Sequence, residues 1–184
     1  GTGGVAAPLL TTQKGRKVTT VGYIDRLDSA LINGKRYIRV ADYKSSTHSF
    51  NSREVENGEK MQMLSYLFSY CDAAEDGAVP AGVLYRSFTL PDGEEYGSQT
   101  GLVLDEPYVR SAMDSTGVHI KKAEKASIER IEQLKEQVYC HIKETADLIS
   151  DGVMNAKVFK KKEQNCAFCP FGEICRNEKP KKRF

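Results

Sequence analysis

The chain has 184 residues, of which 40% are hydrophobic and 28% charged, and its formal net charge is +2. This length fits one domain with a sizeable core, and the nearly balanced charge excludes a histone-like polycation. No apolar run approaches the roughly 18–20 residues of a membrane span, and no basic segment followed by an apolar run opens the chain. We therefore expect a cytoplasmic protein that is neither membrane-integral nor secreted.

Two stretches rich in β-branched residues, 18–32 and 37–43, predict strands on either side of Asn33-Gly34. Asn-Gly is typical of a two-residue hairpin turn, because both positions accept a positive φ. The patterns that follow predict a helix over 53–71, strands over 79–89 and 101–104, and helices over 107–113 and 127–149. Apolar residues in 127–149 recur at the spacing of one buried helix face, and Asp151-Gly152 is expected to end that helix.

This order of elements predicts an α/β fold, with a mixed sheet, the hairpin at its centre and helices on both sides. We expect 1–17 to be a linker or truncated N-terminal segment, 18–152 to form the core and 153–184 to be a cysteine-rich basic tail. From Lys157 onward the tail holds nine Lys or Arg against three Glu.

The hairpin register brings two carboxylates together. If Ile32 pairs with Lys35, then Asp25 faces Asp42, on one side of the sheet and with Cβ atoms about 4.5–5.5 Å apart. The other members of that face would be mostly apolar: Val21, Tyr23, Leu27, Ile38 and Val40. Paired carboxylates in such surroundings repel, and a divalent cation with water completing its shell offsets the repulsion. On the opposite face, Asp28 is expected to pair with Arg39 as on an ordinary protein surface.

Lys44 lies two residues beyond Asp42 and therefore on the same face. A lysine beside a metal site can orient water or stabilise its hydroxide, while the metal offsets charge on a phosphoryl oxygen. Asp25, Asp42 and Lys44 thus predict a compact site for hydrolysis of a phosphodiester. The alternative is that these residues are surface charges on a solvated sheet.

Several motifs occur in the order of a known family, beginning with Gly22-Tyr-Ile-Asp25-Arg-Leu-Asp28, Val40-Ala-Asp42-Tyr-Lys44-Ser and Gln62-Met-Leu-Ser-Tyr66. Gly82-Val-Leu-Tyr85, Gly101-Leu-Val-Leu-Asp105 and Cys166-x2-Cys169-Pro-Phe-x3-Cys175 follow. From about Val18 to Cys175, the chain resembles the RecB-like branch of the PD-(D/E)XK nucleases. The resemblance is greatest to the C-terminal nuclease domains of the B subunits of AddAB-type ATP-dependent helicase–nucleases.

The resemblance implies a restriction-endonuclease-like fold and a metal-dependent deoxyribonuclease, most often an exonuclease, that acts in double-strand-break repair and recombination. DNA and the helicase–nuclease A subunit would be its partners. It also implies that Asp25 and Asp42 bind Mg²⁺ or Mn²⁺ with the backbone carbonyl of Tyr43. Lys44 would activate or position the attacking water.

Gln62 and Tyr66 are four residues apart, so they project from one helix face. The resemblance implies that both lie beside the active site and contact substrate; the alternative is that Tyr66 packs into the core. The family also carries an acidic residue or a histidine upstream of the first strand, but residues 5–17 offer neither. We therefore expect a weaker metal site than in the intact protein. His48, on the loop after Lys44, is expected to be solvated and is assigned no role.

Cys166, Cys169 and Cys175 have a spacing that zinc and iron–sulfur centres both use. In the resembled family, a fourth cysteine far upstream joins these three around a 4Fe–4S cluster. No cysteine precedes Cys71 in this chain, so the cluster is expected to be incomplete here. Cys71 and Cys140 are expected to be core thiols.

The basic tail can contact DNA phosphates, in particular through Lys160, Lys161 and Lys162, or it can be a solubilising terminus. Two other functions remain open. One is a stand-alone CRISPR-associated RecB-like exonuclease, and the other is a non-catalytic module that holds DNA or a partner through its cysteine tail. The facing carboxylates favour a nuclease, because a binding module has no need of them.

Overall fold

The computed structural model describes residues 9–87 and 99–153, together with Pro170. Residues Gly1–Asp147 form one compact unit, and Leu148–Phe184 form a second. The strands within the described ranges are β1 (Leu10–Thr11), β2 (Lys17–Val18), β3 (Arg26–Ile32), β4 (Lys35–Lys44), β5 (Val79–Ser87), β6 (Gln99–Leu104) and β7 (Glu124–Ala126). The helices there are α1 (Ser52–Glu56), α2 (Gln62–Ala73), α3 (Pro107–Met113) and α4 (Ile128–Ser150). None of these helices is long and apolar enough to cross a membrane.

A five-stranded mixed sheet in the order β3-β4-β5-β6-β7 is the centre of the fold. The β3–β4 and β5–β6 pairs are antiparallel, whereas β4–β5 and β6–β7 are parallel. The prediction of a mixed sheet is confirmed, but the expectation that the hairpin is central is wrong. After β4, the chain crosses over through α1 and α2 and returns parallel on the free side of β4. This crossover leaves β3 at the edge of the sheet among the described strands.

The hairpin turn forms as expected, with φ of 51° at Asn33 and 78° at Gly34. Residues pair from Ile32 with Lys35 to Arg26 with Ala41, which is the predicted register. The predicted strand over 18–32 is shorter in the structure, because regular pairing begins only at Arg26. Val21 and Tyr23 are 93% and 89% exposed, so the prediction that they share an apolar face with the carboxylates is wrong.

The main core lies between one face of the sheet and the helices α2 and α4. The sheet contributes Ile38, Val40 and Val83, and each of these side chains is fully buried. The buried helical residues of this cluster are Met63, Leu64, Leu67 and Phe68 of α2, with Ile131, Leu134 and Val138 of α4. The predicted buried stripe of the long helix is therefore present, although Ile149 near its end is exposed.

The predicted helix over 53–71 is two helices, α1 and α2, separated by a bend. Gly58 and Lys60 both have positive φ, 80° and 51°, which a continuous α-helix does not allow. Lys60 Nζ donates to the carbonyl of Ser49 at 2.7 Å and lies 2.8 Å from the Glu54 carboxylate. These contacts hold the lysine in its left-handed conformation. The spacing of apolar residues along the sequence does not predict them.

The face of the sheet that carries Asp28 and Arg39 is covered by α3. The predicted ion pair forms, with Arg39 Nε donating to Asp28 Oδ2 at 3.1 Å. Arg39 also donates to the carbonyl of Met113 at 3.4 Å, and the rings of Tyr37 and Tyr108 meet edge to face. The ion pair is therefore confirmed, but the expectation of an ordinary open surface is not.

The two cysteines expected in the core differ. Cys71 is buried, and burial raises the pKa of its thiol to about 12. Cys140 is exposed on α4 and lies 3.4 Å from the Glu144 carboxylate, so the prediction for it is wrong. The difference arises because Cys140 lies on the outward side of the helix, next to the exposed Glu136 and Glu144.

Candidate active site

The β4 strand positions the predicted Asp42 and Lys44 on one face of the sheet. Residues alternate between faces along a strand, so both point to the side of Ile38 and Val40. Those two side chains are fully buried under α2, whereas Asp42 and Lys44 are half-buried at the end of the strand. The polar pair thus begins where the apolar core ends.

Asp42 and Lys44 form a close ion pair. Lys44 Nζ lies 2.7 Å from Asp42 Oδ2, and the side chains of Lys44 and Asp42 are 29% and 15% exposed, respectively. The ammonium approaches outside hydrogen-bonding geometry, and the buried Asp42 Oδ2 has no hydrogen-bond donor among the described residues. A buried carboxylate oxygen without a donor is costly, which makes this atom available to a cation.

Asp25 lies one residue before the paired part of β3. Its side chain is exposed, and Oδ2 accepts a hydrogen bond from the backbone N–H of Tyr43 at 3.2 Å. The carboxylate thus takes the place that a backbone carbonyl would occupy if the ladder continued. Asp25 therefore lies beside the backbone of Tyr43. The ladder ends at the Arg26–Ala41 pair, so the direct pairing of Asp25 with Asp42 stays a prediction.

Gln62 and Tyr66 lie on the first two turns of α2, and Gln62 Nε2 donates to the Tyr66 hydroxyl at 3.0 Å. The Tyr66 ring packs against the backbone of Gly22, where an added Cβ would lie only 2.4 Å from the hydroxyl oxygen. Gly22 thus permits the close approach of α2 to the segment that leads into Asp25. Tyr66 is half-buried rather than packed in the core. Because Tyr66 contacts Gly22 and Gln62 is hydrogen-bonded to Tyr66, both predicted residues lie close to that segment.

Tyr85 is a neighbour of the site to which sequence analysis assigned no role. It pairs with Asp42 in the parallel β4–β5 ladder, and Lys44 Nζ lies 5.8 Å from the centroid of its ring. Burial, with the negative charges of Asp42 and Glu54, raises the pKa of Tyr85 to about 12. The phenol therefore remains protonated at neutral pH. The proximity of Tyr85 to Asp42 depends on the pairing of strands that are distant in sequence, so the local sequence does not predict it.

His48 also differs from expectation. Its ring is half-buried, and its centroid lies 5.3 Å from that of Tyr85. Burial and the positive charges of Lys44 and Lys60 lower the pKa of His48, so the imidazole is neutral at pH 7. The prediction of a solvated side chain is therefore wrong.

The donor set at this end of the hairpin suits a hard divalent cation. Two carboxylates, of Asp25 and Asp42, flank the backbone of Tyr43, and oxygen ligands of this kind are those that Mg²⁺ prefers. No group of three or more His, Cys, Asp or Glu side chains within the described ranges could hold a metal. A cation here would thus depend on the two carboxylates, a backbone carbonyl and water.

The predicted residues of the tail lie outside the described residues. These are Lys160, Lys161 and Lys162, with the cysteines Cys166, Cys169 and Cys175.

Comparison with known proteins identifies the family. Residues 4–176 match the model of the PD-(D/E)XK nuclease superfamily. The chain is 26% identical to the B subunit of the ATP-dependent helicase/deoxyribonuclease of Ruminiclostridium cellulolyticum, over 99% of this chain and 19% of that protein. The identity is 29% with the protein of the same name from Clostridium tetani, over 88% of this chain and 17% of the relative. The chain is 30% identical to the protein of the same name from Bacillus thuringiensis, over 95% of this chain and 18% of that relative.

The chain thus spans less than a fifth of the length of these relatives. The family match covers nearly the whole chain, and it agrees with the mixed sheet and with the Asp-x-Lys pair at the end of β4. This chain belongs to the PD-(D/E)XK nuclease superfamily.

Proposed function

We propose that this chain is the DNA-hydrolysing domain of a longer helicase–nuclease protein and that its activity depends on Mg²⁺ or Mn²⁺. The observation that carries the proposal is the Asp42–Lys44 pair, in which a buried carboxylate oxygen lacks a hydrogen-bond donor beside an ammonium group. Asp25 adds a second carboxylate at the same backbone.

Asp25, Asp42 and the carbonyl of Tyr43 would hold the cation. When bound, the cation would act as a Lewis acid and offset negative charge on the phosphoryl oxygens. Lys44 Nζ would donate a hydrogen bond to the attacking water and place a positive charge beside the phosphate. Because Lys44 is already held beside Asp42, it needs little rearrangement to do so.

Gln62 and Tyr66 would contact the DNA backbone. The Tyr66 hydroxyl accepts the hydrogen bond from Gln62, so its own proton can be donated to a phosphate oxygen. Its packing on Gly22 would fix the position of that donor relative to Asp25. This arrangement supports a role for both residues in binding the substrate.

The relatives named above are B subunits of ATP-dependent helicase/deoxyribonucleases, which favours this context over a stand-alone exonuclease. We therefore propose that DNA and an A subunit are the partners of the intact protein, and that it trims DNA strands exonucleolytically during double-strand-break repair and recombination.

The tail would add two further functions, phosphate binding by Lys160, Lys161 and Lys162 and a share of a 4Fe–4S cluster through Cys166, Cys169 and Cys175. If the lysines contact DNA, replacing all three by alanine reduces the salt dependence of DNA binding, by a slope of up to about 0.7 per lysine for single strands. An unchanged slope would show that the tail is a solubilising terminus. Iron and sulfide analysis of the longer protein, with and without its upstream cysteine, tests the cluster.

Degradation of end-labelled single-stranded DNA tests the proposed function. We expect cleavage with Mg²⁺ or Mn²⁺, none in EDTA, and a loss of at least about 100-fold in Lys44→Ala. Lys35→Ala is the matched control, because Lys35 is exposed at the opposite end of the same strand.

Cleavage that persists in EDTA or in Lys44→Ala contradicts the proposal. If this chain binds DNA without cutting it, the assay is repeated on the longer protein. DNA binding without cleavage there would establish a binding module instead.

A further inference from the structure

A cleft of about 300 Å³ opens beside the candidate active site. Its walls come from the loop after β4, the end of β5, the start of β6 and the segment before β7. The lining residues that matter here are Thr47, His48, Tyr85, Ser87, Thr100 and Lys122. All of them belong to the compact unit of residues 1–147.

Strand register places the cleft next to Asp42 and Lys44. In the β4–β5 ladder, Tyr85 pairs with Asp42 and Ser87 pairs with Lys44, while Thr100 of β6 pairs with Tyr85. Directly paired residues point to the same face of the sheet. The side chains that line the cleft on β5 and β6 therefore lie on the same face as Asp42 and Lys44, on the side of β4 that is remote from β3. A strand of DNA with a phosphate at Lys44 would thus have its neighbouring nucleotide at the cleft.

Hydrogen bonds to the backbone hold the wall formed by the β4–α1 loop. Thr100 Oγ1 donates to the carbonyl of His48, and Ser87 Oγ donates to that of Ser46 at 2.9 Å. Lys60 Nζ donates to the carbonyl of Ser49 at 2.7 Å. The loop is therefore tied to β5, β6 and the α1–α2 bend, and the cleft is preformed.

The chemistry of the cleft suits one nucleotide. None of its described lining residues is acidic, and Lys122 with the nearby Lys44 makes it favourable for a phosphate. The half-buried ring of His48, neutral at pH 7, backs onto Tyr85 and offers a planar surface. Stacking of a base on such a ring is favourable, and it tolerates any sequence because every base has a π-face. The volume is at the lower end of the range for small-molecule sites, roughly 300–1,000 Å³.

We propose that this cleft binds the nucleotide adjacent to the scissile phosphate, with the base stacked on His48 and its phosphate near Lys122. The proposal rests on the proposed nuclease function for its biological meaning. The binding itself requires neither metal nor catalysis.

Binding of deoxyadenosine 5′-monophosphate in EDTA, followed by calorimetry or ligand-observed NMR, tests the proposal. We expect the nucleotide to bind, with a loss of about tenfold in affinity in His48→Ala and its recovery in His48→Phe. His141→Ala is the matched control, because His141 is a half-buried histidine that contacts the carbonyl of Glu56 on α1 and does not line the cleft. Lys122→Ala, at an exposed position, should weaken the nucleotide but not deoxyadenosine.

Three outcomes overturn the proposal: no binding at millimolar nucleotide, equal binding to wild type and His48→Ala, or inorganic phosphate competing as well as the nucleotide. The last outcome would indicate an anion site only. Because the assay contains no metal, its result is independent of whether the chain cleaves DNA.

Discussion

Asp42 is half-buried, and one oxygen of its carboxylate lies in an environment that does not stabilise it fully. Its Oδ2 atom has Lys44 at 2.7 Å but lacks a hydrogen-bond donor among the described residues. Residues held in this way cost stability and are typical of functional sites, where a ligand supplies the missing interaction.

Added Mg²⁺ or Mn²⁺ should therefore stabilise the folded protein. A metal that binds only the folded state contributes about 2.7 kcal/mol at 100 times its Kd, which raises Tm by roughly 5–10 °C in a protein of this size. We expect Asp25→Asn and Asp42→Asn each to reduce or abolish the shift in thermal unfolding followed by circular dichroism. Asp76→Asn, at an exposed carboxylate paired with Arg36, should keep it. An equal shift in all variants would place the metal elsewhere.

Asp28 shows the opposite situation, because hydrogen bonds from two guanidinium groups satisfy its carboxylate. Burial acts to raise the pKa of Asp28, but the bonds from Arg39 and Arg26 outweigh it and hold the pKa below the ordinary value of 3.8. The folded state therefore binds fewer protons near pH 4 than the unfolded state does. The resulting stabilisation is present above the unfolded pKa and is lost as the pH falls through the folded pKa.

Asp28→Asn should thus lower the free energy of unfolding by about 1 kcal/mol at pH 6, since the carboxylate is only partly exposed. Urea unfolding between about pH 6 and pH 3 should show a smaller loss of stability in the variant than in wild type. Parallel curves for the two proteins would show that the ion pair does not contribute.

At the scale of elements, close backbone approach decides how β5 and β6 pair. Gly101 has φ of +146°, and an added Cβ would lie 2.0 Å from the carbonyl oxygen of Val83. Gly82 on β5 makes an equally close contact, because a Cβ added there would lie 2.3 Å from the carbonyl oxygen of Leu102. The glycines of the two sequence motifs are therefore required by contact between the strands.

Gly101→Ala should destabilise the protein by about 3 kcal/mol, because backbone atoms cannot move aside without disturbing the ladder. Gly117→Ala is the control: φ there is +71°, but nothing lies within 4 Å of the added Cβ, so only the conformational cost of about 1 kcal/mol remains. Chemical denaturation measures both values. Equal losses would show that the contact with Val83 is relieved without cost.

At the scale of the whole molecule, a buried carboxylate joins parts of the chain that are far apart in sequence. Asp147 of α4 is only 9% exposed and accepts a hydrogen bond from Thr12 Oγ1 at 2.9 Å, across 135 residues. Arg16 donates to its carboxylate at 3.1 Å and to its backbone carbonyl at 3.0 Å. These contacts attach the β1–β2 hairpin to the helix, although the hairpin is not part of the main sheet.

Asp147→Ala should cost about 2 kcal/mol, since it leaves the buried Thr12 hydroxyl and the half-buried Arg16 guanidinium without their acceptor. Thr12→Val should cost less, and the double variant should lose less than the sum, because the two residues share one interaction. Asp105→Ala, at a 47% exposed carboxylate paired with Arg110, should change stability by under about 0.5 kcal/mol. Strict additivity of Thr12→Val and Asp147→Ala would contradict the coupling.

Local signals account for the elements that sequence analysis predicted well. The Asn33-Gly34 turn, the register that it sets and the spacing of Asp42 and Lys44 depend on backbone sterics and the alternation of a strand. Where a local signal was ambiguous or absent, sequence analysis failed. It predicted one helix across the bend at Gly58 and Lys60, because that bend depends on contacts of Lys60. It did not predict β7, which has too few residues for a pattern.

The sequence by itself thus determined the hairpin, the Asp-x-Lys pair and the family that these motifs resemble. Only the tertiary structure placed Tyr85 beside Asp42, Tyr66 on Gly22 and His48 in a cleft with Thr100. Each of these neighbours comes from a different element and meets the others through strand pairing or helix packing. Such contacts are set by how the core closes, because no spacing along the chain specifies which strand lies next to β4.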